Sequence, residues 1–288
     1  MYKRQANNGW AVGLSGTIVH TSDGGSNWAQ QSVMSVAELW DVQFLDNNTG
    51  WIVGSGPTLL ATSDGGMNWN NSGMFPPFFN SGLLGVSFVD ANMGWACGIA
   101  GAIVNTTDGG ANWTEQSSSS TNNLNDIIFI DANNGWAVGA SGTIVATTDG
   151  GATWVSQTSG TGQELRAVHF ADMNNGWAVG NNGVVVATTD GGATWSAQSS
   201  GTSEQLWGIS FSDESTGWAV GNNSVVIHTE NAGSNWSSQD LGEAGVALRD
   251  VCFVDNNEGW TVGQFARAYH TQNGGVTGIE DLTEAGFD

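Results

Sequence analysis

Seven times this chain repeats one phrase: Gly-Trp-x-x-Gly, then about a dozen residues later a turn of the type Thr-x-Asp-Gly-Gly-x-x-Trp. The tryptophans of the Gly-Trp pairs are Trp10, Trp51, Trp95, Trp136, Trp177, Trp218 and Trp260, at intervals of 41, 44, 41, 41, 41 and 42 residues. A fixed period of this length implies units that cannot bury their apolar surface alone and must stack on their neighbours. Seven units consume nearly all of the 288 residues, so one repeat domain is expected over 6–275.

A single unit, Leu165 to Glu204, shows how the repeat is built. It contains four short β-rich runs, A to D: Leu-Arg-Ala-Val-His-Phe, Gly-Trp-Ala-Val-Gly, Val-Val-Val-Ala-Thr and Trp195-Ser-Ala-Gln, separated by clusters of Asn, Asp and Gly. No apolar period of i, i+3, i+4 persists long enough to compete with this reading. Four strands per 41 residues is the period of a propeller blade, so the expected fold is all-β, a seven-bladed β-propeller with four-stranded blades. In the D-run turn the Gly pair supplies positive φ at no steric cost, and the preceding Asp carboxylate is placed to accept backbone N–H bonds. The Trp that follows is expected to cover the turn and pack between blades.

The turn Thr21-Ser-Asp23-Gly-Gly25-Ser-Asn-Trp28 and its counterparts at Asp64, Asp108, Asp149 and Asp190 resemble the Asp-box, or BNR repeat, of sialidases, sortilin-like receptors and xyloglucanases. Joined to Gly-Trp-Ala-Val-Gly and the strand Leu-x-Asp-Val-x-Phe, the unit is most similar to the photosystem II stability and assembly factor family. That resemblance implies a seven-bladed propeller across about residues 6–275 and says little of activity, since Asp-boxes are structural elements in proteins of many functions. The last two boxes carry Asn231 and Asn273 in place of Asp, and Gly278 stands where the final Trp is expected.

The ends depart from the period. Ala6-Asn-Asn-Gly-Trp10 aligns with Ala132-Asn-Asn-Gly-Trp136, so the first blade is expected to be incomplete at its N-terminus, and residues 1–5 fit no repeat position and read as a scar. Residues 276–288 are expected to supply a last strand or a linker tail, Thr277 to Leu282 resembling the junction before a type IX secretion sorting domain. The net charge of −22, with five Lys and Arg, argues against nucleic acid or an anionic membrane as partner. Most of the acid is architectural, 14 of 17 Asp lying in Asp-boxes, A–B turns or strand A; Asp41, Asp126 and Asp250 are the strand A members. No apolar run is long enough to span a membrane. Cys97 and Cys252 lie in distant repeats, and no disulfide or zinc site is expected of them. The scarcity of bases and the tail together favour a secreted or cell-surface setting, with the periplasm also compatible.

Subtracting what the repeat requires leaves candidates for recognition. Of 15 Trp, only Trp40 and Trp207 lie outside the Gly-Trp and Asp-box positions, and both follow the Leu that opens strand A. Across six repeats that slot reads Trp40, Leu84, Asn125, Arg166, Trp207 and Arg249, so the core does not dictate it. Three further aromatics, Phe75, Phe78 and Phe79, sit in the insertion that lengthens the second interval, and Phe265 and Arg267 lie in the last B–C connection. In a propeller the D–A and B–C connections share one face with the start of strand A. These nine residues are therefore expected to converge near one mouth of the channel as a ligand-binding face, aromatic and arginine enrichment being the composition of an interaction surface.

Catalysis has little to work with. Glycoside hydrolysis needs two carboxyl groups at a defined separation, and the acids free of repeat duty on the relevant face, Glu38, Glu164 and Glu204, read as solvated loop charge. The Asp-x-Asn-x-Gly turns mimic half of a calcium loop but lack its distal bidentate acid. No catalytic residue, metal or cofactor is expected. The favoured reading is a non-catalytic recognition scaffold, a monomeric module of a longer secreted chain, that binds a protein, peptide or glycan. The alternative is a photosystem II assembly-factor-like protein, and the third reading is a sialidase- or xyloglucanase-like hydrolase.

Overall fold

The computed structural model describes residues 3–5, 7–33, 37–76, 79–265, 267–275 and 280–281, and in it the repeats form seven four-stranded antiparallel sheets, the blades of a β-propeller. Blade 5 is typical: Leu165–Phe170, Gly176–Gly180, Val185–Thr188 and Ser196–Gln198 pair in chain order as strands A to D. Consecutive A strands pack on one another around the central channel.

What joins blade to blade is an aromatic ladder. From blade 1 to blade 6 the indole of the Gly-Trp pair stacks on the strand A Phe of the next blade, with ring centroids 3.5 Å apart for Trp10 and Phe44, 3.6 Å for Trp95 and Phe129, and 3.6 Å for Trp177 and Phe211. That Phe meets the Asp-box Trp of its own blade edge-on, as Phe170 meets Trp195 at 5.9 Å. Stacked and T-shaped contacts of this kind suit the aromatic quadrupole and add to the area buried. The ladder also dictates the Gly before each Trp: a Cβ on Gly135 would stand 2.6 Å from the ring of Phe129.

The same indoles hold the opposite face together by hydrogen bonds. Trp51 Nε1 donates to Gly109 O at 3.0 Å and Trp136 Nε1 to Gly191 O at 3.1 Å, each reaching the Asp-box glycines of the following blade. Trp260 Nε1 donates to Gly24 O at 2.8 Å, which closes the ring between blade 7 and blade 1. Within a box the Asp carboxylate is saturated locally: Asp149 accepts from Thr147 Oγ1, Thr153 N and Thr153 Oγ1 at 2.7 to 2.8 Å. These bonds favour the ionised form and hold Asp149 below the usual carboxylate range. In the sixth box Asn231 keeps two of the three interactions through a single oxygen, from Thr229 Oγ1 and Asn235 N. Asn273 likewise accepts from Thr271 Oγ1 at 2.8 Å.

The seam between the ends differs from the other blades. The innermost strand of blade 1 is Lys3–Gln5, three residues where the other A strands have six, and its register sets Arg4 opposite Gly9, the slot Phe occupies elsewhere. Blade 7 takes its fourth strand from Glu280–Asp281, paired with Ala268–Gln272; the rest of the tail, including most of the stretch likened to a sorting-domain junction, lies outside the described residues. Lacking a Leu-x-x-Val-x-Phe strand, this interface has, among the described residues, a core of three buried side chains, Trp28, Trp260 and Ala268. The blade 4 to blade 5 interface has ten. The Cys97 thiol is buried and its Sγ donates to Leu124 O at 3.4 Å.

Candidate functional site

A β-bulge explains the slot that the repeat leaves undetermined. In blades 2 to 7 the A–B register slips beside the opening Leu, so that in blade 2 Leu39 and Asp41 pair with Gly54 and Val53 and Trp40 is passed over. The same slip passes over Leu84, Asn125, Arg166, Trp207 and Arg249. A bulged residue has no partner in the ladder and its side chain is re-aimed. Here the bulge turns two successive side chains toward the channel, and all six bulge residues line one cavity of about 890 Å³ at its mouth, with Asp41, Asp126 and Asp250 beside them. The terminal Gly of strand B is part of the device, since a Cβ on Gly54 would run into Glu38 O.

Trp207 is the centre of this mouth. The guanidinium carbons of Arg166 and Arg249 lie 4.5 and 4.1 Å from its ring centroid, and its indole N–H donates to Asn222 Oδ1 at 2.9 Å. The two arginines are not equivalent. Arg166 is anchored by Glu164 Oε2 at 2.9 Å and Asn181 Oδ1 at 3.3 Å, while Glu164 also accepts from Asn125. Arg249 is exposed and has no hydrogen bond or ion pair to any of the described residues. Burial lowers the pKa of both, and the charge of Arg166 lowers that of Arg249 further. A guanidinium held over an indole by cation–π attraction spends no N–H donor on the contact, which leaves those of Arg249 for an anion. Arg267 lines the same cavity and pairs with Glu243 at 3.1 Å.

The channel wall beneath carries buried carboxylates. Asp41 accepts from Val42 N and, across to the next blade, Val86 N at 2.8 Å; Asp126 does the same with Ile127 N and Val168 N. Burial, with Asp250 nearby, pushes Asp41 up to about 6 despite those bonds, and burial together with the Asp41 charge raises Asp126 well above the usual range. Their oxygens are committed to tying A strand to A strand. No group of three or more metal-ligating side chains occurs among the described residues.

Of the nine residues expected at the mouth, Trp40, Arg166, Trp207, Arg249, Phe265 and Arg267 line the cavity. Phe78 lies outside the described residues. Phe75 and Phe79 are elsewhere: they stack on each other at 5.0 Å and pack on Trp113 and its cluster at the edge of blade 3. The cause is one missing glutamine. Three residues after the Asp-box Trp, five blades carry Gln31, Gln116, Gln157, Gln198 or Gln239, each donating to the next Asp-box turn. Blade 2 has Ser72, whose shorter side chain reaches Gly110 O but leaves the flank of Trp113 bare for the phenylalanines. Met74 is clamped there too, bonded to Ala111 O and Trp113 N at 3.1 Å. Sequence reasoning missed Leu14, which lines the cavity and is 67% exposed. Its signal was a large apolar residue at the first position of a B–C turn.

Fold and site together define an Asp-box β-propeller whose bulge residues differ from blade to blade at the channel mouth. The sequence matches the family "Photosynthesis system II assembly factor YCF48" over residues 1–74, 117–197 and 156–244, and the chain belongs to that family. Among solved structures it is similar to YCF48 bound to D1 peptide, with TM-score 0.77 and 21% identity, covering 93% of this chain and 88% of that one. It is also similar to YCF48 from Cyanidioschyzon merolae, with TM-score 0.74 and 20% identity, covering 93% and 90% of the two chains. An ancestral GH74 enzyme shares the fold at TM-score 0.67 and 16% identity, over 81% of this chain and 36% of that one. No curated protein matches the sequence. Family membership corrects the expected setting: the family is that of a photosystem II assembly factor, so the secreted, cell-surface or periplasmic location read from scarce bases and a short tail is overturned. A scarcity of bases does not identify a compartment.

Proposed function

We propose that this protein is a non-catalytic assembly factor that holds an acidic segment of a partner polypeptide at the channel mouth. The observation that carries the reading is Arg249, a guanidinium stacked on Trp207 with its donors unspent, in a chain whose net charge is −22. In a molecule otherwise so acidic, a cationic aromatic mouth selects a carboxylate, which a guanidinium fork binds in bidentate fashion. The YCF48 structure that holds a D1 peptide supplies the precedent for a peptide ligand. Family and precedent favour this reading over a recognition module of a secreted protein. Hydrolysis has less support, because Glu164 is engaged by Arg166 and Asn125, and Glu204 by Asn223.

Isothermal titration with synthetic D1 peptides tests the proposal. Saturable binding is expected, with Arg249→Ala weakening it by tenfold or more, on the order of a charge-assisted bond pair. Absence of binding to every peptide, or unchanged affinity in Arg249→Ala, would overturn it.

A further inference from the structure

The cavity does not stop at the cationic mouth. It continues into the seam between blades 7 and 1, where its lining turns apolar: Val12, Leu14, Val19, Trp28, Val262 and Ala268. Two residues stand at the rim of this extension. Leu14 is 67% exposed, and Phe265 is 80% exposed.

Phe265 breaks a rule that every other blade obeys. The B–C turn requires a residue of positive φ at its second position, and the other six blades place Ser15, Gly56, Ala100, Ser141, Asn182 and Asn223 there. Blade 7 places Phe265 in that conformation, φ 61°. For a bulky side chain the left-handed region is strained, and residues held so cluster where function requires them. The exposed ring adds a second cost, since it forgoes burial. Neither is repaid within the described fold: Phe265 belongs to none of the apolar clusters. The first position of the same turn tells a parallel story. In blades 5 and 6 it is Asn181 and Asn222, which hold Arg166 and Trp207 in place. In blade 1 it is Leu14, aimed at the cavity.

We propose that the seam is a second, apolar subsite: Leu14 and Phe265 close over one bulky apolar side chain of the ligand, seated beside the carboxylate that Arg249 binds. The proposal rests on the peptide-binding reading above and names the ligand's chemistry, an extended segment with an acidic group and a large aliphatic or aromatic side chain within a few residues of it. Arg249 and Phe265 line the same cavity, so one short peptide can serve both groups. Leu14 from blade 1 completes the clamp from across the seam.

The test is fluorescence anisotropy with labelled octapeptides, each with a central Asp and with Ala, Leu or Phe placed one to four residues to either side. At one or more spacings the Leu or Phe peptide is expected to bind about tenfold or more tighter than its Ala counterpart, the effect of burying one such side chain. Phe265→Asn installs the residue that blade 6 carries at this turn position and relieves the strain, so the variant is expected to fold as well as the parent. It should erase the preference while leaving binding of the Ala peptide in place, and Leu14→Asn should reduce it. Asp peptides that bind with no apolar preference, or a preference untouched in Phe265→Asn, would overturn the apolar subsite alone. If no peptide binds at all, the peptide-binding reading falls and the subsite with it.

Discussion

The two faces of this propeller are built from the same seven repeats and behave oppositely. On the Asp-box face the blades repeat one pattern with few exceptions: indole N–H to a turn carbonyl, carboxylate to its own turn, glutamine to the next box. On the mouth face the bulge residue of strand A changes from blade to blade, from Trp to Leu, Asn and Arg. The difference teaches that conformation alone separates positions the scaffold dictates from positions it leaves open here. A residue inside the ladder is fixed by its partners; one passed over by the ladder is free to vary, and the bulge delivers it to the channel.

Substitutions should divide along the same line. The largest effect is expected at the ladder: Trp177→Ala removes the stack on Phe211 and the bond to Ala232 O, and should cost about 3–5 kcal/mol in urea unfolding. Next, Gly135→Ala drives a methyl into the ring of Phe129, at 2.6 Å, and should cost about 1–3 kcal/mol by the same measurement. If either variant were as stable as the parent, the ladder would not be what sets the repeat.

The channel carboxylates give a smaller effect whose sign depends on pH. Asp41 has a folded pKa raised to about 6 from an unfolded value near 3.8, so its ionisation opposes folding: the penalty is absent below about pH 4 and complete above about pH 6. The Asp-box carboxylates have the opposite sign, their stabilisation being present above the unfolded pKa and lost as pH falls through the lowered folded value. His20 and His228, lowered by burial, also favour the higher pH. The clean readout is therefore the stability of the parent relative to Asp41→Asn, which should fall by about 1–3 kcal/mol between pH 4 and pH 7. A flat difference would show that the channel wall does not carry a strained charge. Smallest of all, Arg249→Ala should change stability by less than about 0.5 kcal/mol, as an exposed residue outside the scaffold does.

The fold was legible because the period, the Gly-Trp pair and the Asp-box each answer to a single physical need repeated seven times. The positions of Trp40, Arg166, Trp207 and Arg249 were legible for the converse reason, as departures from the repeat at one slot. Phe75 and Phe79 were misplaced because their destination depends on Ser72 standing where other blades have Gln, a deletion of side-chain volume that no pattern of aromatics reveals. Leu14 was missed because its signal, a large apolar residue opening a B–C turn, does not by itself tell an exposed side chain from a buried one. The setting was misjudged because a scarcity of Lys and Arg and a short tail were read as signs of environment.

Division of labour between the faces can be measured directly with two photo-crosslinking variants. Leu14→p-benzoylphenylalanine places the probe at the mouth, and Met67→p-benzoylphenylalanine places it in an Asp-box turn; both sites are well exposed, at 67% and 77%. After irradiation with a bound acidic peptide, a covalent adduct is expected from position 14 and none from position 67. Adducts from position 67, with position 14 silent, would contradict the account.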